Sequence, residues 1–353
     1  MKILELITGG EPGGAQRHVA ELSRFLVYQG HHVIVAHGGG RWLGNQLNKQ
    51  IQVIYLEHLK RAPGIGTDIA AYQQINDVLS QVKPDVVHCH SSKAGLIGRL
   101  AAWKAQVPSV YTAHGYVFVD STRPWLQRKF YRYAETWGAR HSQAIIVLSQ
   151  RDLHEAQAMA PSVPTYRIAN GVVPSSVSAA TSRDIPRIGF MGRFSREKGL
   201  DWLIPIAKQH TQWQWAFAGD GDLRDLVIKA SSQSQHILWD GWVEDLDQWF
   251  QNIDVLVQPS WKEGMPYTVI DAMAHRVPVV ATRVGAMPEV LGEVDEDLLV
   301  SPGDSLGLIS AIGYALDHQK LLGASSYHYV SDHLNRDIQL AKVAEVLQSV
   351  VGL

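Results

Sequence analysis

The chain is poor in cysteine and has no long apolar run. Cys89 is its one cysteine, which excludes a disulfide within the chain. No stretch approaches the roughly 20 consecutive apolar residues that a membrane-spanning helix needs. The apolar start ends at Gly9 and Gly10, too early for a signal peptide. We therefore expect a cytoplasmic protein without a transmembrane helix.

The composition is that of a folded protein whose charge is unevenly distributed. The 353 residues are 46% hydrophobic and 19% charged, which suits two globular domains with separate cores. In residues 1–180, 18 Lys and Arg against 11 Asp and Glu give +7; in residues 181–353, 14 against 23 give −9. A basic first half predicts an anionic partner. We expect a small molecule, a glycan or a membrane rather than a nucleic acid.

Short apolar strands alternate with helical patterns in both halves, which predicts two α/β domains built on parallel sheets. The first half begins with a strand, a glycine-rich turn at residues 9–14 and a helix. A dinucleotide-binding dehydrogenase begins similarly but needs an acidic residue after its second strand. Ala36, His37 and Gly38 occupy that place, which argues against NAD.

We place the first domain at residues 1–170 and the second at residues 171–335, and we expect a last helix, at 336–353, to pack back toward the first. Residues 144–148 are interpreted as the last strand of the first half. Residues 161–185 contain three prolines and a Ser/Ala/Thr-rich run at 175–182. They show no regular pattern and are interpreted as the linker.

Residues 254–291 are the most informative stretch. An apolar strand, a loop with Glu263 and Gly264, a helix and a second apolar strand form a βαβ unit. Ligands of open parallel sheets bind beyond the carboxyl ends of the strands, which is where Glu263 lies. Asp271 follows inside the helix, and the N–H groups of residues 265–268 at the helix start can bind an anion. Taken alone, both carboxylates could also be ordinary surface charges.

Two cations follow the first strand of the second half. Arg193 and Lys198 precede a helix, so their charges can bind a diphosphate; surface charges are the alternative. Asp220 and Asp222 form a D-x-D, which some sugar transferases use for a divalent metal. Here the pair lies in a tight glycine turn, and we expect no metal and no cofactor.

Histidines mark the ends of two strands in the first half. His88 and His90 share one face of a strand, and His114 follows another. Two histidines without a third ligand nearby are weak evidence for a metal. We interpret His90 as a polar lining of the crevice and leave a structural role for His114 open.

Residues 124–140, from Pro124 to Arg140, predict a helix in which basic and large aromatic side chains are mixed. Such a helix can lie on an anionic membrane surface. A half-buried helix with a solvated basic face is the alternative.

Several short motifs extend over nearly the whole chain. They are, in order, Gly13-Gly14-Ala15-Gln16-Arg17-His18, His90-Ser91-Ser92-Lys93-Ala94-Gly95, His114-Gly115, Asn170-Gly171-Val172, Gly192-Arg193, Lys198-Gly199, Gly219-Asp220-Gly221, Gly241-Trp242-Val243 and Glu263 with Asp271. In this order the motifs resemble those of the GT-B glycosyltransferases, in particular the family 4 retaining hexosyl transferases of bacterial surface polysaccharides. One departure is Asp271, because the family usually has two glutamates with seven residues between them.

The resemblance implies two Rossmann-like domains whose parallel sheets face each other across a cleft, and a site that transfers a hexosyl residue with retention of configuration. The donor is a UDP- or GDP-sugar, and the acceptor a polyprenyl-diphosphate-linked or other glycan. A sugar-nucleotide epimerase or a non-enzymatic sugar-nucleotide-binding protein remains open. The implied catalytic residues are His114, Arg193, Lys198 and Glu263. The last three also bind the donor, together with Gly13, Gly14, Val243, Gly264, Met265, Pro266, Tyr267 and Asp271. Arg17, His90 and Lys93 are expected on the acceptor side.

Overall fold

The computed structural model describes residues 1–120, 123–177 and 183–352. The chain divides into two compact units: unit 1 contains Met1–Asn170 and Asp337–Leu353, and unit 2 contains Gly171–Arg336. None of the described helices combines the length and apolarity that crossing a bilayer requires.

Unit 1 is built on a parallel sheet of seven strands in the order β3-β2-β1-β4-β5-β6-β7. The strands are β1 Lys2–Ile7, β2 His32–His37, β3 Gln52–Tyr55, β4 Val86–His90, β5 Ser109–Ala113, β6 Ala144–Val147 and β7 Thr165–Arg167. The helices are α1 Gly14–Tyr28, α2 Trp42–Gln46, α3 Ile65–Val82, α4 Ser92–Lys104, α5 Trp125–Arg140 and α6 Gln150–Met159.

Both faces of the inner part of this sheet are covered, which explains why the inner strands β1, β2 and β6 are almost continuously apolar. Leu4 and Leu6 of β1 belong to one buried cluster, whereas Ile3 and Ile7 belong to another. This division follows from the alternation of side chains along a strand. Only Glu5 interrupts the buried apolar run of β1.

β7 corrects the sequence prediction that β6 is the last strand of the first half. Thr165–Arg167 lies within the segment interpreted as linker, yet it pairs with β6. Three residues at a sheet edge, preceded by Pro164, are too few to give a period-two pattern. The part of the predicted linker at residues 178–182 lies outside the described residues.

Unit 2 repeats the plan with six parallel strands in the order β10-β9-β8-β11-β12-β13, which confirms the predicted α/β class with two parallel sheets. The strands are β8 Arg187–Met191, β9 Gln214–Ala218, β10 Ile237–Gly241, β11 Val255–Gln258, β12 Val279–Thr282 and β13 Leu299–Val300. The helices are α7 Leu200–Gln209, α8 Arg224–Gln233, α9 Leu246–Gln251, α10 Tyr267–Ala274, α11 Met287–Val290, α12 Ser305–Asp317 and α13 Gln319–His333.

The last helix, α14 Arg336–Val351, supplies side chains to the core of unit 1. Leu340, Val343 and Leu347 are buried in the same cluster as Ile3 and Ile7. Burial of a leucine-sized side chain stabilises the fold by about 1.5–3 kcal/mol. Removal of α14 would expose a substantial part of that core and would lose this stabilisation.

Candidate active site

Two loops of unit 2 are joined directly beyond the carboxyl ends of β8 and β11. Gly199 has a φ of +78°, and a Cβ at this position would lie 1.9 Å from the carbonyl oxygen of Pro259. The Trp261 N–H donates to the Glu197 carbonyl at 2.9 Å, and the Trp202 indole donates to Pro259 at 3.0 Å. Only glycine fits this close approach. The contacts fix the loop that carries Lys198 against the loop that carries Glu263.

The Glu263 carboxylate, which is 7% exposed, lies at the centre of this junction. Lys198 donates to both of its oxygens at 2.7 Å. The Gln258 amide donates to Oε1 at 2.7 Å, and the Ser260 hydroxyl donates to the same oxygen at 2.6 Å. Several donors on one carboxylate give a rigid group with a defined orientation, since charge-assisted bonds are the stronger ones.

The loop that follows Glu263 is held from behind by a turn at Gly285. This glycine has a φ of +57°, and a Cβ there would lie 2.5 Å from the Glu263 carbonyl oxygen. The Ala286 N–H donates to the Gly264 carbonyl at 2.8 Å. The loop leads into α10, where Asp271 is 7% exposed and its backbone carbonyl accepts from the His275 ring at 2.6 Å.

The remaining predicted donor residues of unit 2 differ in exposure. Arg193 is exposed on the same loop as Lys198, and Val243 and Pro266 are half-buried. The side chains of Met265 and Tyr267 are buried, so these two residues can offer a ligand mainly their backbone. Asp220 accepts from the Gly221 N–H at 2.7 Å and lies 3.6 Å from Arg224.

Unit 1 brings together a glutamate of β1, a histidine of α1, two histidines of β4 and the histidine that directly follows β5. We call this set the histidine cluster: Glu5, His18, His88, His90 and His114. Glu5 Oε2 lies 2.7 Å from His90 Nε2 and 3.1 Å from His88 Nδ1. His90 Nδ1 lies 3.0 Å from His114 Nε2, and His88 Nε2 lies 2.7 Å from the Thr112 hydroxyl. Glu5, His88, His90 and His114 therefore form a continuous hydrogen-bonded network, and the His18 ring packs edge-on to His114.

Burial keeps three of these rings neutral at pH 7. Desolvation, followed by the charges of neighbouring histidines, holds the pKa values of His18, His90 and His114 well below the usual range. Both nitrogens of His18 are buried, and neither is hydrogen-bonded within the described residues. Burial also raises the pKa of the adjacent Cys89 thiol to about 12, which makes it a poor nucleophile.

The structure changes the interpretation of the β4 histidines. His90 is fully buried with both ring nitrogens hydrogen-bonded, so it does not line an open crevice as the sequence predicts. From the sequence, no third metal ligand was found near His88 and His90; in the structure Glu5 lies beside them. Glu5, His88 and His90 offer ligand atoms within 4.8 Å of one another, yet these atoms already bond to each other.

The other predicted residues of unit 1 are engaged within the unit. Gly13 caps the start of α1 and Gly14 is its first residue. Arg17 pairs with Glu21 at 2.9 Å. Lys93 contacts Asp68 at 2.5 Å and donates to the Ala62 carbonyl at 2.6 Å, so its charge is already compensated.

Glu5, Gln258 and Ser260 were not among the site residues predicted from the sequence. A signal for Glu5 was present, because a carboxylate inside an apolar strand needs buried partners. No comparable signal marked Gln258 and Ser260, whose role depends on where the loop places Glu263.

α5 presents an apolar surface. Trp125, Leu126, Phe130 and Tyr133 are 61%, 64%, 65% and 75% exposed. At 3.6 residues per turn they fall within about 140° of arc, with Lys129 among them. We call this the α5 face. The opposite side of the helix is anchored in unit 1 by Glu135, which bonds to the fully buried Arg99 at 2.8 Å.

The α5 cations are less available than the sequence suggests. Arg128 donates to the Phe118 carbonyl at 2.9 Å, and Arg132 pairs with Glu155 at 2.7 Å. Lys129 is exposed and lies 4.7 Å from the centre of the Trp125 ring.

Two family models match the chain. One described as Glycosyltransferase Family 4 matches residues 12–176, and one described as Glycosyl transferases group 1 matches residues 185–318. Together they match most of the chain, which belongs to the GT-B glycosyltransferases. The resemblance of the sequence motifs to GT-B glycosyltransferases of family 4 is confirmed, and the protein is an enzyme of the transferase class.

Individual relatives agree with this family. An uncharacterized 41.2 kDa protein in the cps region of Klebsiella pneumoniae is 28% identical over 242 residues, 63% of this chain and 67% of that protein. The UDP-Gal:alpha-D-GlcNAc-diphosphoundecaprenol alpha-1,3-galactosyltransferase of Escherichia coli is 24% identical over 304 residues, 79% of this chain and 78% of that protein. HepE of Anabaena, in complex with UDP and glucose, has a TM-score of 0.83 at 20% identity over 99% of this chain and 100% of that chain, which shows a shared fold.

Proposed function

We propose that this glycosyltransferase moves a hexosyl residue from a UDP- or GDP-sugar to a glycan acceptor of bacterial polysaccharide synthesis, with retention of configuration. The acceptor that we favour is a polyprenyl-diphosphate-linked glycan. The observation that carries the donor proposal is the Lys198–Glu263 pair, because it places a fixed cation and a fixed carboxylate beyond the carboxyl ends of β8 and β11.

The hard step of such a transfer is the departure of a nucleoside diphosphate. In our proposal Arg193 and Lys198 bind the diphosphate and stabilise the negative charge as it develops, so that no metal ion is needed. Glu263 accepts hydrogen bonds from hydroxyls of the transferred sugar. Asp271 binds the ribose, and Val243 contacts the nucleobase.

The names of the relatives support the choice of donor and acceptor. The Escherichia coli relative is named for UDP-galactose and for a diphosphoundecaprenol-linked sugar. HepE was crystallised with UDP, with UDP and glucose, and with UDP-glucose. Retention, and roles for Gly13, Gly14 and His114 toward the donor and for Arg17 and Lys93 toward the acceptor, rest on the family resemblance.

We also propose that the α5 face attaches the protein peripherally to a membrane, where a lipid-linked acceptor would be found. Four large apolar side chains exposed on one side of a helix are typical of interfacial binding. Since Arg128 and Arg132 already have partners in unit 1, apolar burial rather than charge would supply most of the binding energy.

Incubation with a panel of UDP- and GDP-sugars, with and without a lipid-linked glycan, tests the function. Transfer or slow donor hydrolysis supports the proposal, and proton NMR of the new linkage reports whether the configuration is retained. Interconversion of two sugar nucleotides would identify an epimerase instead. Binding without turnover of any donor would favour a sensor.

A further inference from the structure

The histidine cluster contains a directional chain of hydrogen bonds from Glu5 through His90 to His114. His90 and His114 lie at or directly after the carboxyl end of a strand, whereas Glu5 lies inside β1. Glu5 lies on β1 and is fully buried, His90 is the last residue of β4 and is fully buried, and His114 follows β5 and is half-buried. The chain therefore leads from the core of unit 1 toward its surface.

The direction of each bond follows from what each atom can do. An ionised carboxylate only accepts, so the His90 Nε2–H donates to Glu5 over 2.7 Å. A neutral imidazole has one donor and one acceptor, which leaves a lone pair on His90 Nδ1. That nitrogen lies 3.0 Å from His114 Nε2, so the His114 Nε2–H is the donor. The lone pair of His114 is then on Nδ1.

His88 strengthens the same arrangement without belonging to the chain. Its Nδ1 lies 3.1 Å from Glu5 Oε2, and its Nε2 lies 2.7 Å from the Thr112 hydroxyl. His88 thus donates to Glu5 and accepts from Thr112. Glu5 receives two N–H groups and has no role as a donor.

We propose that Glu5 and His90 are positioning residues that hold His114 in the tautomer with a bare Nδ1, which presents a hydrogen-bond acceptor to a hydroxyl of a bound sugar. The tautomer is a property of unit 1 alone. The identity of the ligand as a sugar rests on the proposed function.

The low pKa values of His90 and His114 are consistent with this assignment. Burial holds both rings neutral near pH 7, and a neutral ring must choose between two tautomers. Without the Glu5 carboxylate, the hydrogen bond between His90 and His114 could run in either direction, so the proton of His114 would not be fixed on one nitrogen. The wrong tautomer would present an N–H to the sugar hydroxyl in place of a lone pair.

The direct test is nitrogen-15 NMR of the full-length protein with labelled histidine, with the His114 signals assigned by their loss in His114→Gln. We expect wild-type His114 to carry its proton on Nε2 and none on Nδ1. In Glu5→Met, which can neither donate nor accept as the carboxylate does, the His114 signals should shift toward a mixture of tautomers. His90→Phe should have the same effect, and it replaces Glu5→Met if that variant does not fold.

The matched control is Thr112→Val, which removes one hydroxyl from the same buried cluster but leaves the chain intact. Its His114 tautomer should equal that of the wild type. A proton on Nδ1 of wild-type His114 would overturn the proposal. So would unchanged His114 signals in both Glu5→Met and His90→Phe.

Once a donor is found, turnover gives a second measurement. Glu5→Met should reduce turnover about 10- to 100-fold with unchanged affinity for the free nucleoside diphosphate, as expected for loss of an orienting partner. Equal turnover in wild type and Glu5→Met would overturn the catalytic part. If no sugar nucleotide reacts with the wild type, the proposed function fails, whereas the NMR result on the tautomer stands.

Discussion

Lys198 contacts both carboxylate oxygens of Glu263 at 2.7 Å, and this pair joins two loops that are 65 positions apart in sequence. From the sequence and the family resemblance, Lys198 is expected to bind a diphosphate and Glu263 a sugar. The structure adds that the two side chains compensate each other's charge. A bound donor would therefore either contact Lys198 while Lys198 stays paired with Glu263, or separate Lys198 from Glu263.

This relationship predicts different outcomes for the two cations. Arg193→Ala and Lys198→Ala should each reduce transfer by about 2–4 kcal/mol in transition-state energy, because each removes a charge from the leaving diphosphate. Only Lys198→Ala should also lower stability, by about 2 kcal/mol, since it leaves a buried carboxylate without its cation. Rates measured with the preferred donor, together with thermal melting, separate the two effects.

Arg196→Ala is the matched control, because Arg196 is on the same loop with a side chain 82% exposed. It should change neither the rate nor the melting temperature. Wild-type rates in both Arg193→Ala and Lys198→Ala would remove the diphosphate assignment. Equal melting temperatures of Lys198→Ala and wild type would show that the ion pair does not stabilise unit 2.

The two carboxylates should also separate experimentally. Asp271→Asn should weaken binding of the free nucleoside diphosphate, because the ribose loses a charged acceptor. Glu263→Gln should bind that product normally yet turn over more slowly, since it contacts the transferred sugar. Isothermal titration with UDP and GDP, beside turnover of the sugar nucleotide, checks both. Unchanged nucleotide affinity in Asp271→Asn would exclude the ribose role.

We expect activity to survive EDTA. The cations of unit 2 can stabilise the leaving diphosphate without a metal, and Asp220 is already bonded to the Gly221 N–H and lies near Arg224. Turnover measured after dialysis against EDTA should match the untreated enzyme. A different result would assign a metal to the D-x-D turn. In that case EDTA would abolish the activity of the wild type, manganese or magnesium would restore it, and neither metal would restore activity in Asp220→Asn.

The α5 face should bind vesicles mainly through its apolar side chains. Substitution of Trp125, Leu126, Phe130 and Tyr133 by Ser should abolish co-sedimentation with anionic vesicles. Lys129→Ser should weaken binding by about 1 kcal/mol and remove most of its salt dependence. Tyr28→Ser with Ile65→Ser is the control, because these apolar side chains are even more exposed, at 86% and 85%, elsewhere on unit 1. Vesicle binding by the quadruple variant at the wild-type level would show that α5 is not the membrane surface.

Unit 1 should lose stability as the pH falls below about 6.5, the ordinary histidine pKa that applies to the unfolded chain. The pKa values of His18, His90 and His114 are depressed in the folded state, so the unfolded state binds more protons below this pH. The sign is that stability is complete above the unfolded pKa and declines toward the lower folded values. Each group contributes up to about 1.4 kcal/mol per pH unit.

His18→Leu isolates one of these protons, because His18 is not hydrogen-bonded within the described residues and leucine fills a similar volume. Urea unfolding between pH 7 and pH 5 is monitored by hydrogen exchange of β4. The stability of β4 should depend less steeply on pH in the variant than in the wild type. Exchange of β11 reports unit 2 in the same samples and should not differ between the two proteins. Identical β4 profiles would mean that His18 is not held neutral by burial.

The sequence was sufficient to predict two α/β units with parallel sheets, the positions of Glu263, Arg193 and Lys198 after strand ends, and the position of Asp271 inside the following helix. These features are local: apolar runs define strands, and a residue's place after a strand follows from its position in the chain. The motifs then identified the family, which the family models confirm.

Side-chain pairing between distant segments could not be predicted from the sequence. Glu5 and His90 are 85 positions apart, and only the parallel register of β1 and β4 brings their side chains together. Lys198 reaches Glu263 because Gly199 lets one loop approach the other at Pro259. The availability of the α5 cations for a membrane was overestimated for the same reason. Arg128 bonds to Phe118 and Arg132 to Glu155, and both partners lie outside α5. Which polar groups are satisfied is decided by tertiary packing, because burial removes the water that would otherwise serve as their partner.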